Sequence, residues 1–206
     1  MITLLVSFVL SFSFLIVAMT IHEFAHGFVA YKLGDKTAMR EGRLTLNPLA
    51  HIDPIGTVIL PLLLFLSSRG QFIFGAAKPV PINYWALGNP KRDIIWVGLS
   101  GPVANLLLAF VLSVVLKFIP ATALIQYICA QLILINVILG VFILIPLPPL
   151  DGSRVVIGLL PEPLASRYAS IEPYGFFIVM GLVALGAFDI IIWPIVKMII
   201  SLFMML

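Results

Sequence analysis

An all-α polytopic membrane protein, with four to six transmembrane segments around an intramembrane metal site, is the fold class this sequence predicts. Three observations predict it. Of its 206 residues 62% are hydrophobic and 10% charged, and mean hydropathy is +1.18, whereas a soluble domain carries about a quarter charged residues. Apolar stretches long enough to cross a bilayer recur along the chain. Inside the first of them stands HEFAH, His22 to His26, which puts three ionisable side chains where burying each costs free energy.

The first segment, 2–33, lacks a basic n-region, and its apolar run from Ile2 to Thr20 outlasts the core of a signal peptide. It reads as a retained span. A short re-entrant or β-like element, within 40–92, is expected between the first and second long spans. Val58–Leu66 is apolar but only nine residues long, carries Pro61 and follows Asp53-Pro54-Ile55-Gly56. A crossing helix needs about twenty residues, so this stretch is expected to enter or lie along the membrane without traversing it. Gln71–Ala77 (QFIFGAA) has β character and runs into the Pro-broken KPVPIN. Such backbone reaches membrane depth only where protein covers it or a water cavity lines it.

Core spans follow at 94–118 and 123–146, the second stopped by the prolines of PLPPLDG, 146 to 152. The C-terminal segment, 174–206, is interrupted by Asp189 and by Trp193-Pro194. One tilted span and two short ones both fit it. No repeat, linker or low-complexity tract divides the chain, so 1–206 reads as a single membrane-embedded domain. The lone cysteine, Cys129, sits in an apolar run, which excludes an intrachain disulfide and a Cys-based metal site and suggests a packed thiol.

Net charge is only +3, and the basic residues flank the spans, a pattern of topology and lipid headgroups with no sign of nucleic acid. If the first segment runs outside to inside, Lys32, Lys36, Arg40, Arg43, Arg69, Lys78, Lys91 and Arg92 are cytoplasmic. Two further crossings add Arg154 and Arg167, leaving Lys117 outside and Lys197 undecided. Ten of twelve basic residues then share one side, a strong positive-inside bias.

HEFAH is an HExxH motif. Positions i and i+4 of a helix face the same way, so His22 and His26 can share an ion about 2 Å from each nitrogen. Glu23, turned about 100° from His22, can reach a metal-bound water as general base. Three ionisable residues in five, inside a span, are rare enough to mark function. A catalytic zinc site takes three protein ligands and keeps one open position. Candidates for the third are His51, Asp35, Glu41, Asp53, Asp93, Asp151, Glu162, Glu172 and Asp189. Asp151 is favoured because three prolines break the preceding span and Gly152 lets the backbone turn, which can aim a carboxylate into the bundle. Parity agrees, since two crossings between His22 and Asp151 return the chain to the same face. An ordinary turn aspartate of an Asp-Gly pair is the competing reading. His51 is expected to stay in its loop, bonded to backbone.

HEFAH, SGPVAN at 100–105 and PLPPLDG at 146–152 together resemble the site-2 protease family of intramembrane zinc metalloproteases, over about residues 15 to 160. GRLTLNPLAHIDPIG, 42 to 56, and AKPVPIN, 77 to 83, are similar to its short bacterial and archaeal branch, which lacks the PDZ and CBS domains of larger relatives. The resemblance implies one Zn2+ per chain held by His22, His26 and Asp151, with Glu23 activating a zinc-bound water. It places the site toward the cytoplasmic side of a cell membrane. Members commonly carry an asparagine eight residues before the metal-binding aspartate, for the substrate carbonyl. Ile143 stands there in this chain, with Asn105 and Asn136 as other polar groups of the core.

The expected activity is hydrolysis of peptide bonds in or near the transmembrane segments of membrane-protein substrates. Such a segment enters between spans and unwinds locally, and the strand-like Gln71–Ala77 can pair with it by edge addition. The rival reading is a membrane metal-binding scaffold or chaperone without hydrolysis, kept alive by Ile143. A zinc transporter is weaker, because it would more typically spread ionisable residues along a path through duplicated halves.

Overall fold

The computed structural model describes residues 2–69, 75–118 and 120–205. Four of its helices are long and apolar enough to cross a membrane. The first, α1 (Ile2–Lys32), is apolar along most of its length and at 1.5 Å per residue extends about 46 Å. It stops at Gly34, whose φ of 114° favours glycine; the Asp35 N–H reaches back to the Ala30 carbonyl at 2.9 Å. The buried Asp35 carboxylate then accepts the backbone N–H groups of Thr37 at 2.9 Å and Asn83 at 2.7 Å, tying the helix end to a distant loop.

The helix α2 (Pro54–Ser67) opens in a wide π turn capped by Asp53, whose Oδ1 accepts from Gly56 N–H at 2.6 Å. It extends about 21 Å, short of the roughly 30 Å hydrocarbon layer. Of the β-like stretch, Gln71–Phe74 lie outside the described residues, and Gly75–Ala77 belong to no helix or strand. The segment up to Val80 is fastened on one side by the start of α2 and the loop before it. Ala76 N–H donates to Gly56 O at 2.9 Å, and Thr57 Oγ1 to Ala76 O at 2.7 Å. Lys78 N–H donates to His51 O at 2.9 Å, and Arg43 Nη2 to Lys78 O at 2.7 Å.

The second long span is α3 (Pro90–Phe118), started by a proline and by Asn89, whose N–H donates to Asp93 Oδ2 at 2.8 Å. The third is α4 (Ala123–Ile143), which ends three residues short of Pro146. Two short helices follow, α5 (Gly152–Leu159) and α6 (Glu162–Ala169). The C-terminal segment resolves into α7 (Glu172–Ala184), too short to cross, and the fourth long helix, α8 (Phe188–Met205). Its break falls at Gly186, with φ 81°, and not at Trp193-Pro194. A π turn over Phe188–Ile192 widens the backbone just ahead of Pro194, room for a ring that an α-helix would force against a carbonyl.

Helix α3 lies at the centre, packed against α1, α4 and α5, while α8 covers α4. The main core runs between α3, α4, α7 and α8, through Ala109, Val137, Val141, Val179 and Val196. A smaller cluster of Ala30, Leu87 and Val97 holds α1 against α3 beside the polar site.

Candidate metal centre

His22 and His26 occupy successive turns of the α1 face that meets α3, and both are buried. The two Nε2 atoms are 2.9 Å apart, and each is 2.9 Å from Asp151 Oδ2. Asp151 arrives from the start of α5, where the proline-broken end of α4 turns the chain inward. The three residues with metal-ligand spacing are therefore brought together across 129 positions. Of the alternative third ligands, Asp35 and Asp53 cap helix ends and His51 donates from Nε2 to Thr45 O at 2.9 Å.

The hydrogen bonds behind the rings determine what the cluster can hold. Asn105 donates both amide hydrogens, to Ala18 O at 3.0 Å and to Asn136 Oδ1 at 2.7 Å. Its own Oδ1 is thereby left to accept from His22 Nδ1 at 2.7 Å. His26 Nδ1 donates to the Val97 carbonyl at 2.7 Å. Both imidazoles thus carry their proton on Nδ1, and two Nε2 lone pairs converge on a carboxylate oxygen. Three lone pairs facing one another need a cation between them. Their 2.9 Å separations lie near the edge of a tetrahedron with 2.0–2.1 Å bonds, about 3.3 Å. Two neutral imidazoles oriented from behind plus one carboxylate is a donor set that fits zinc.

Glu23 is not part of this cluster, and its Oε2 accepts the Val80 N–H at 2.7 Å. It lines the same cavity of about 360 Å³ as His22, His26, Asp151, Tyr84 and Ile143. At the mouth Arg154 holds Glu172 through two bonds, of 2.7 and 3.2 Å, and lies 5.7 Å from the Tyr84 ring centre. Burial pushes the Tyr84 phenol above its ordinary value, against the lowering pull of Arg154. No hydrogen-bond partner of this phenol is found among the described residues.

Asn105 and Asn136 stood out as amides inside spans, a signal of function, but their roles depend on pairing across helices. Gly101 gave less warning. A Cβ there would lie 2.5 Å from His22 Cε1 and from His26 Nε2, so only glycine lets α3 press against both rings. Val80, Tyr84 and Arg154 carried no distinguishing pattern.

A bundle of membrane-length helices that carries HExxH on one of them and a matching carboxylate after another has the ligand set of a zinc metalloprotease. No family model matches the chain, and no solved structure does. Curated relatives do. YwhC of Bacillus subtilis, named as a candidate zinc metalloprotease, is 39% identical over 192 residues, 87% of this chain and 82% of that protein. Rip2 of Mycolicibacterium smegmatis, named likewise, is 30% identical over 90% of this chain and 73% of its own length. The zinc metalloprotease MJ0392 of Methanocaldococcus jannaschii is 28% identical over 73% of this chain and 34% of its length. The chain belongs to the site-2 protease family of zinc metalloproteases.

Proposed function

We propose that this chain hydrolyses peptide bonds in or near the transmembrane segments of membrane-protein substrates, at one zinc ion held by His22, His26 and Asp151. One observation carries the reading: two imidazole lone pairs and a carboxylate converge in a cavity walled by membrane-length helices, which a second carboxylate, Glu23, also lines. Zinc bound there supplies a Lewis acid for the scissile carbonyl and makes water acidic enough to ionise near neutral pH. Glu23 takes the proton from the attacking water and passes it to the leaving amine. The Val80 N–H holds its Oε2, and Oε1 has no hydrogen-bond partner among the described residues.

A substrate must present extended backbone, because helical carbonyls are hidden in internal hydrogen bonds. Gly75–Val80 is suited to hold it. The loop side of this segment is occupied by Gly56, Thr57, His51 and Arg43, while the N–H and C=O of Gly75 and Ala77 have no partner among the described residues. A substrate strand can add along that free side. The basic residues clustered at the site's end of the bundle support a cytoplasmic-facing site in the cell membrane.

The test is Glu23→Gln in liposomes with a lysine-flanked leucine/alanine transmembrane peptide. Zinc content is expected to stay at one per chain while cleavage stops; continued cleavage removes the general-base role. Ile143 favours a second reading, a metal-binding scaffold without hydrolysis, because it puts hydrocarbon in the cavity where the family commonly has an amide. A wild type that holds zinc but cleaves no membrane peptide supports that reading.

A further inference from the structure

A second cavity, of about 350 Å³, opens between α1, α4 and α7. It is joined to the metal cavity, with which it shares Gly75, Leu139 and Phe142. Its α4 wall is a single helical stripe, Gln131, Leu134, Ile138 and Phe142, and its α1 wall is Ser11, Phe14 and Leu15, the face that continues to Met19 and His22. The lining is mostly hydrocarbon. The two polar side chains are Ser11, on the α1 wall, and Gln131, on the α4 wall, and neither has a hydrogen-bond partner among the described residues.

An amide without a partner inside a span is costly, because lipid offers it nothing. The amides of Asn105 and Asn136, in the same bundle, both donate and accept. Gln131 therefore faces a ligand that brings hydrogen-bonding groups into an apolar groove. An acyl chain brings none. A transmembrane peptide that loses its helix brings one N–H and one C=O per residue. From Gln131 to Leu139 the groove runs eight residues of α4, about 12 Å, which an extended strand covers in about four residues.

Building on the proteolytic reading, we propose that this groove is the entry subsite for the substrate's apolar segment, and that Gln131 and Ser11 bind its backbone where the helix unwinds. Bulky aliphatic substrate side chains fill the hydrocarbon between them and the metal cavity. Gln131 is a binding residue and takes no part in proton transfer.

The experiment uses the zinc-loaded full chain carrying Glu23→Gln, reconstituted in liposomes, with the lysine-flanked leucine/alanine peptide bearing a fluorophore. Gln131→Met is expected to weaken peptide binding about three- to tenfold, the scale of a buried membrane hydrogen bond. Ser11→Ala is expected to weaken it less. Gln126→Met, on the same helix but bonded to Ala121 O outside the groove, is expected to change nothing, and zinc content is expected to stay constant throughout. Equal affinity for Gln131→Met and its parent, or no peptide binding at all, overturns the proposal. A bimane reporter at Ser11→Cys, in a Cys129→Ala background, is expected to lose quenching by brominated phosphatidylcholine when the peptide binds. Undiminished quenching assigns the groove to a lipid chain and overturns it equally. Cleavage is absent from these readouts. A failed Gln131 test beside intact wild-type hydrolysis thus removes the subsite alone, and a working subsite beside absent hydrolysis removes the protease reading alone.

Discussion

Asn105 Oδ1 accepts the Nδ1 proton of His22 at 2.7 Å, from a carboxamide that is itself fully buried and fixed by Asn136 and Ala18. Ring orientation and tautomer in α1 are thus set by a chain of amides running through α3 into α4.

Cutting that chain is expected to weaken metal binding before it unfolds the bundle. Asn105→Leu leaves His22 free to rotate and to carry its proton on either nitrogen. Loss of a partner behind a ligating imidazole typically lowers metal affinity 10- to 100-fold. Asn136→Leu, one bond further away, is expected to give a smaller loss. Competition with a zinc chelator measures both, and unchanged affinity for Asn105→Leu would show the bond to be incidental.

Much of this site was legible from one sequence, for identifiable reasons. The HExxH spacing is a property of a single helix, so His22, Glu23 and His26 could be placed without tertiary information. Asp151 is favoured by crossing parity and by three prolines, which constrain backbone whatever surrounds them. Those signals also fit an ordinary turn aspartate, and it is the family resemblance that points to Asp151 as a ligand. Asp189 and Trp193-Pro194 leave one tilted span and two short ones equally compatible with the sequence, because the turn at Gly186 and the π turn that accommodates Pro194 are visible only in the folded backbone. Asn105, Gly101 and Tyr84 act through contacts between separate elements, which no local pattern encodes.

Gly101 offers a sharper test of close approach. Adding a Cβ places carbon 2.5 Å from His22 Cε1 and His26 Nε2, far inside contact distance, and α3 cannot retreat without parting from α1. Gly101→Ala is expected to abolish stoichiometric zinc binding, read by metal analysis of the purified protein. Gly181→Ala, where a Cβ meets nothing within 4 Å, serves as the matched control and is expected to keep it.

The ion pair at the mouth joins α5 to α7. Arg154 holds Glu172 bidentately while lying over Tyr84. Both charged side chains keep partial contact with solvent, 23% and 39% exposed, so the pair contributes modestly to stability, about 1 kcal/mol or less. Glu172→Gln is expected to leave thermal stability within about that margin and to speed amide hydrogen exchange at the start of α7. Exchange at the wild-type rate would mean that α7 is held by its core packing, through Val179, without the ion pair.

Tyr84 is the group best placed to take over what Ile143 cannot do. The scissile carbonyl needs a donor where its oxygen gains charge, and hydrocarbon at 143 supplies none. The Tyr84 phenol borders the same cavity, has no partner of its own among the described residues, and is pushed by burial above its ordinary value. The sign of that shift matters: a phenol with a raised pKa keeps its proton through the neutral range, so donation is lost only in strong alkali. Tyr84→Phe removes the hydroxyl and little else. It is expected to lower kcat about 10²- to 10³-fold, the usual effect of deleting one such donor, with KM and zinc content nearly unchanged. Adding Ile143→Asn to that variant should restore part of the loss, because an amide would then enter the cavity from α4. Wild-type kcat in Tyr84→Phe would mean that the carbonyl is polarised without the phenol.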